Sequence, residues 1–139
     1  MNFQEALNRE GLRLTHPRKV VMSILERSKV PLSPQTIYQR SIEAHEDIGL
    51  VSVYRTLEML SDLGLVRRVH GLDDCHGYVL ASPGHHHPLV CRKCEKTIEF
   101  SGSEDLENLL SRIEQETGYQ VDGHLLQLYG LCPQCQQEG

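Results

Sequence analysis

No stretch of this chain approaches the ~20 consecutive apolar residues needed to cross a bilayer. The start, MNFQEALNRE, has no hydrophobic block and carries two glutamates, which does not fit a secretory signal. A cytoplasmic protein with no membrane partner is therefore expected. There is no glycine-rich phosphate loop and no helical HExxH pair, so two common signatures of nucleotide and hydrolytic chemistry are missing. Internal repeats of useful length are absent as well. The 139 residues suffice for one domain or two small ones with a modest core. Hydrophobic content of 39% and charged content of 24% are ordinary for a globular chain.

The net charge of −5 conceals an asymmetry. Residues 1–70 hold ten Lys/Arg against eight Asp/Glu, or +2; residues 71–139 hold four against eleven, or −7. The first part tolerates contact with a polyanion, and the second does not.

The first half reads as helices joined by short turns. NFQEALNREG gathers Phe3, Ala6 and Leu7 on one side and stops at Gly11. Thr15 and Pro17 open a second helix, with Val20, Val21, Ile24 and Leu25 at helical spacing. Ser33 followed by Pro34 is an N-cap signal, and places Ile37, Tyr38 and Ile42 inward. A fourth helix is expected from about Ser52 to Gly64, burying Val53, Leu57, Leu60 and Leu63. LVRRV and YVLA, separated by a turn rich in glycine and aspartate, predict a β-hairpin. That order is the order of a winged helix-turn-helix; a small helical bundle with an incidental hairpin fits it too. After SPGHHHP (82–88) the texture changes. LVCRKCEKTIEF predicts a hairpin around a cysteine knuckle, Ser103 caps a helix carrying Leu106, Leu109, Leu110 and Ile113, and HLLQLYGLC alternates like a strand.

Five cysteines is an odd count, and a reducing compartment disfavours disulfides. Four of them form two CxxC pairs, Cys91/Cys94 and Cys132/Cys135. Two intervening residues let a tight turn aim both sulfurs at one ion, and two such knuckles complete the tetrahedral thiolate shell of structural Zn²⁺. A redox CxxC would usually occur once, at a helix start.

His85, His86 and His87 precede the first knuckle. In an extended segment His85 and His87 share a face and His86 takes the other. Such a pair suits one divalent ion but needs further donors. Glu107, His124, Glu99, Cys75 and His76 are the candidates. A solvated polar linker is the plain alternative.

Taken together, GLRLTHPR (11–18), IGLVSVYRTLEMLSDLGLV (48–66), HHHPLVCRKCEKTIEF (85–100) and GHLLQLYGLCPQC (123–135) resemble the ferric uptake regulator family over nearly the whole chain. The resemblance implies an α+β fold, with a winged helix-turn-helix DNA-binding domain at 1–82. An α/β metal-binding dimerisation domain with a four-cysteine zinc site follows at 83–139. It implies a homodimer that represses metal-uptake genes from a palindromic double-stranded operator, with metal setting the angle of its winged domains. By position Cys91, Cys94, Cys132 and Cys135 match the family's structural zinc ligands, and His85, His87, Glu107 and His124 match a sensor site. Iron regulators of the family usually place an aspartate where His87 stands, so zinc is the expected regulatory metal, with Fe²⁺ or Mn²⁺ the alternatives. A further interdomain site of the family lacks three ligands here, because Pro31, Val79 and Pro88 occupy their positions. His86 survives, and Cys75 or His76 from the wing turn is expected to compensate.

For DNA, Ser52, Tyr54 and Arg55 face outward at the start of the fourth helix while Val53 and Leu57 pack inward, as a recognition helix requires. Arg13, Arg18 and Lys19 are candidates for phosphate contacts. An iron- or peroxide-sensing repressor of the same family is the near alternative. A metal storage or chaperone protein would leave the first half idle, and a zinc hydrolase built on His85, His87 and Glu107 lacks the usual helical motif. No enzyme is expected.

Overall fold

The computed structural model describes residues 3–71, 76–82, 85–101 and 104–138. Cys75 and Ser103, both singled out in the sequence, lie outside the described residues. Four helices come first: α1 (Phe3–Arg9), α2 (His16–Glu26), α3 (Pro34–Glu43) and α4 (Leu50–Asp62). The hairpin β1 (Val66–His70) and β2 (His76–Leu80) follows. Then come β3 (His86–Cys91), β4 (Thr97–Ser101), α5 (Glu104–Thr117), β5 (Leu128–Gly130) and α6 (Pro133–Glu138). The molecule is α+β, and its first half has the order of a winged helix-turn-helix.

Local chemistry sets the boundaries. The Ser33 hydroxyl accepts from the Thr36 amide at 3.1 Å and Pro34 supplies the first helical φ, so α3 starts where the sequence predicts. Gly64, at φ +74, ends the turn after α4 in a conformation that a side chain would strain. Leu7, Val21, Leu25, Ile37, Val53, Leu57 and Leu60 form the buried centre, joined by Leu32, Leu65 and Val66. Each such side chain contributes roughly 1.5–3 kcal/mol on leaving water, so stability is concentrated in this half. Ile42 departs from expectation at 45% exposed. Ser41 takes the inward position instead, with its hydroxyl donating to the Tyr38 carbonyl at 2.6 Å.

The wing gains a partner that hydropathy does not reveal. Leu32 forms a bridge with Tyr78, with backbone bonds of 3.0 and 2.8 Å in the two directions. This pins β2 to the segment between α2 and α3.

The second sheet runs β4-β3-β5, antiparallel between β3 and β4 and parallel between β3 and β5. The last strand is only Leu128–Gly130, and residues 121–127 have no regular secondary structure. Leu125 is 98% exposed, so the alternation of HLLQLYGLC does not correspond to a buried face. Among the described residues beyond 82, the buried ones are His87, Pro88, Val90, Cys91 and Cys135. That is too little apolar burial to hold a sheet and a helix unaided. Leu109 on α5 is 41% exposed, and Ile98 and Leu128 are exposed as well.

Candidate metal centres and nucleic-acid interface

The turn from β3 to β4 holds Cys91 and Cys94, and the entry to α6 holds Cys132 and Cys135. Glu95, at φ +66, reverses the chain after the first knuckle. Pairing of β3 with β5 delivers the second knuckle to the first. One sulfur from each cysteine lies within 4.8 Å of the others. The Sγ atoms of Cys94 and Cys132 are 3.8 Å apart, which is the edge of a tetrahedron with arms of ~2.3 Å. Backbone N–H groups already point at the sulfurs. Those of Cys94 and Cys132 donate to Cys91 Sγ at 3.5 and 3.4 Å, and that of Cys135 donates to Cys132 Sγ at 3.5 Å. The Cys94 amide, followed by that of Cys132, holds the Cys91 thiol down to about 5. Cys135, sharing a hydrogen bond with Cys132 and buried, is pushed up to about 12. Hydrogen bonds among the clustered cysteines thus leave one easily formed thiolate beside a thiol that resists ionisation. The donor set fits zinc.

The second cluster joins His85 and His87 to His124, with ring nitrogens within 4.8 Å of one another. The Nε2 atoms of His85 and His124 are 3.0 Å apart, and the His85 ring lies 4.8 Å from that of His87. His87 is 4% exposed, and among the described residues nothing hydrogen-bonds its Nε2. Burial, followed by the neighbouring His85 and His124 rings, lowers its pKa below 6.5, so the ring is neutral at pH 7 with a lone pair to offer. A buried ring nitrogen without a partner costs stability unless something arrives to use it. These three imidazoles, two of them 39 residues apart in sequence, fit a divalent ion.

The other expected donors do not join this cluster. Glu107 is exposed on α5, so three of the four residues implied by the resemblance come together and the carboxylate does not. Glu99 is committed elsewhere: its oxygens accept from the Ser82 amide at 3.2 and 3.1 Å, and it lies 3.7 Å from Arg67 Nε. His76 packs its ring edge-on against His70 at 4.6 Å, at the far end of the hairpin. His86 falls outside the cluster, its Nδ1 buried without a partner among the described residues.

The histidine cluster opens on a groove of about 850 Å³ between wing and second sheet, lined by Arg67, Arg68 and His70 on one side and His124 and Gln127 on the other. Gln127 was not foreseen. Its amide grips the His70 backbone, a contact between residues 57 apart that no local pattern signals.

In the first half, α4 begins at Leu50, so Ser52, Tyr54 and Arg55 lie in its first two turns. Tyr54 and Arg55 are exposed and Ser52 is half-buried. Gln35, also not foreseen, donates from Nε2 to the Tyr54 hydroxyl at 2.7 Å and orients that ring. Arg13 and Lys19 are exposed; Arg18 donates to the Arg13 carbonyl, which ties the loop to α2.

Comparison with known proteins decides the lineage. A match to the ferric uptake regulator family spans residues 9–129. The chain belongs to the ferric uptake regulator family. The ferric uptake regulation protein of Legionella pneumophila is 38% identical over 138 residues, covering 98% of this chain and 100% of that one. Among solved structures, the Vibrio cholerae ferric uptake regulator aligns with a TM-score of 0.62 at 32% identity, covering 94% of this chain and all of that chain. A zinc uptake regulator in complex with zinc and DNA aligns at 0.79, covering 98% and 91%; its 22% identity speaks for the fold alone. The chain is a metal-responsive transcriptional regulator of this family and not an enzyme. Among the described residues, no helix is long and apolar enough to cross a membrane.

Proposed function

We propose that the protein is a cytoplasmic homodimeric repressor whose grip on a palindromic operator depends on zinc at the histidine cluster. The carrying observation is the convergence of His85, His87 and His124 beside the wing. In this reading residues 1–82 form the DNA-binding domain and 83–139 the metal-binding dimerisation domain. The four cysteines hold a structural zinc ion that ties the start of the second domain to its end. Exposed Ile98, Leu109 and Leu128 support a second copy as the partner that covers this thinly packed half.

A divalent ion held by the imidazoles supplies a cross-link between β3 and the irregular segment 121–127. The protein's own groups do the rest. His87 stays neutral through its burial, so no proton need leave it at pH 7. His124 fixes a segment with no regular secondary structure, and its neighbours touch the wing. The winged domains then populate the spacing that fits two half-sites, and affinity rises by the difference in metal binding between the two postures. Tyr54 and Arg55 address base edges or phosphates, Ser52 assists at the helix start, and Arg13, Arg18 and Lys19 address phosphates. An all-imidazole donor set favours zinc over the harder Fe²⁺ and Mn²⁺. Glu107 serves as a fourth donor if α5 approaches the cluster.

Iron sensing is the second reading, favoured by the ferric uptake regulation relatives. A duplex selected by the metal-loaded protein from a random pool provides the probe. Titration of its mobility shift with Zn²⁺, Fe²⁺ and Mn²⁺ against chelator is expected to show half-saturation at the lowest free concentration for Zn²⁺. A lower requirement for Fe²⁺ or Mn²⁺ overturns the zinc assignment, and binding indifferent to all metals overturns the function.

A further inference from the structure

Side chains link the wing to the second half of the chain at two places among the described residues. At one, Arg67 on β1 meets Glu99 on β4, whose carboxylate also holds the Ser82 amide. At the other, the last residue of β1 is held by side chains alone. The His70 amide donates to Gln127 Oε1 at 3.0 Å, and Gln127 Nε2 donates to the His70 carbonyl at 2.8 Å. The Tyr129 hydroxyl donates to that same carbonyl at 3.1 Å.

A carboxamide is a peptide group in miniature. The N–H and C=O of a strand residue point to the same side, so one carboxamide can satisfy both and form a single rung on the free edge of β1. The two gripping residues come from the two parts that the histidine cluster joins. Gln127 lies three residues after His124, at most ~10 Å along the chain. Tyr129 sits in β5, paired with Val90 of β3, the strand that carries His87.

We propose that Gln127, assisted by Tyr129, is the positioning element through which occupancy of the histidine cluster reaches the wing. The inference rests on the metal-dependent reading of that cluster. Residues 121–127 have no ladder of their own, so with His124 free the Gln127 carboxamide must be ordered at the moment the wing docks. With His124 held, that ordering has already occurred, and docking of the wing becomes easier. Linkage makes the effect reciprocal: a docked wing tightens the metal site by the same factor. Gln127 touches neither metal nor DNA in this scheme. Its loss uncouples the two binding events without abolishing either.

The test compares wild type, Gln127→Ala and Tyr129→Phe as full-length protein retaining one tightly bound zinc per chain. Affinity for the selected duplex is measured with saturating Zn²⁺ and with the histidine site emptied by a mild chelator. The ratio of the two affinities is the readout. Gln127→Ala is expected to shrink it about tenfold and Tyr129→Phe about threefold, at roughly one modest hydrogen bond per bond removed. Binding of Zn²⁺ to the DNA-free protein stays within a few-fold of wild type, and the affinity of the emptied protein for DNA is unchanged. Hydrogen exchange at the His70 amide should slow on zinc addition in wild type and not in Gln127→Ala. A wild-type ratio near one defeats the metal-dependent function and this inference with it. A large wild-type ratio that survives in Gln127→Ala, or an equal loss of affinity in both metal states, defeats this inference alone.

Discussion

Replacing His87 with leucine should move stability in opposite directions depending on metal. The ring is 4% exposed, and its Nε2 has no hydrogen-bond partner among the described residues. An unsatisfied buried donor or acceptor costs about 1–3 kcal/mol, while leucine fills a similar volume with no polar atom to satisfy. With the histidine site empty and the cysteine site loaded, His87→Leu should therefore unfold at higher urea, by about 1 kcal/mol. In wild type, free zinc at a hundred times its dissociation constant adds about 2.7 kcal/mol. The variant should gain little from the same addition, so the order of the two proteins reverses. The pH dependence follows from the same residue. Burial lowers the folded pKa of His87 below 6.5. Its neutral form then contributes stability in full above pH 6.5, and this is lost as pH falls from 6.5 towards the folded value. His87→Leu should flatten that part of the profile. Urea titrations at pH 7.5 and at pH 5.5, with and without zinc, read both effects. A variant less stable than wild type when the site is empty, or equally stabilised by zinc, would refute the reasoning.

Cys132→Ser should release the tightly bound zinc at neutral pH, because its sulfur forms a tetrahedral edge with Cys94 and accepts from the Cys135 amide. Metal analysis after gel filtration should give less than one zinc per chain. Gly77→Ala should destabilise the protein by about 1–3 kcal/mol, since a Cβ there would sit 2.5 Å from Cβ of the rigid Pro31 ring and 3.1 Å from the Leu32 amide. A urea midpoint equal to wild type would show that β2 can lift from that segment at no cost. Arg55→Ala should weaken operator binding and, if it neutralises one phosphate, reduce the slope of log K against log salt by about one. Unchanged affinity by fluorescence anisotropy at two salt concentrations would remove α4 from the interface.

The features legible in the sequence were those with local causes. Ser33 and Pro34 announced α3, Gly64 ended the turn after α4, and the apolar spacing in VSVYRTLEML placed Val53, Leu57 and Leu60 in the core. The two CxxC spacings announced a four-sulfur cluster, and strand alternation placed His85 and His87 together. What stayed hidden depends on distant partners. Ser41 displaced Ile42 from the core by satisfying its hydroxyl within α3, a choice that periodicity alone does not make. The last strand is only three residues long, and Gln127 just before it bonds the wing instead of extending the ladder. Glu99 is drawn to Arg67 and Ser82 and away from the histidines. The Leu32 bridge to Tyr78 joins a hairpin strand to a residue whose neighbours carry no strand pattern, yet it seats the hairpin on the helices.

Regulation by this route requires two chemically different ion sites in each chain. X-ray absorption at the zinc edge on protein carrying two zinc ions per chain, and again on His124→Ala, measures this. The wild type should show sulfur near ~2.3 Å together with nitrogen or oxygen near ~2.0–2.1 Å, and His124→Ala should hold one zinc with a shell of sulfur alone. A wild-type spectrum with sulfur only, at one zinc per chain under zinc excess, would contradict the histidine site and the regulation derived from it.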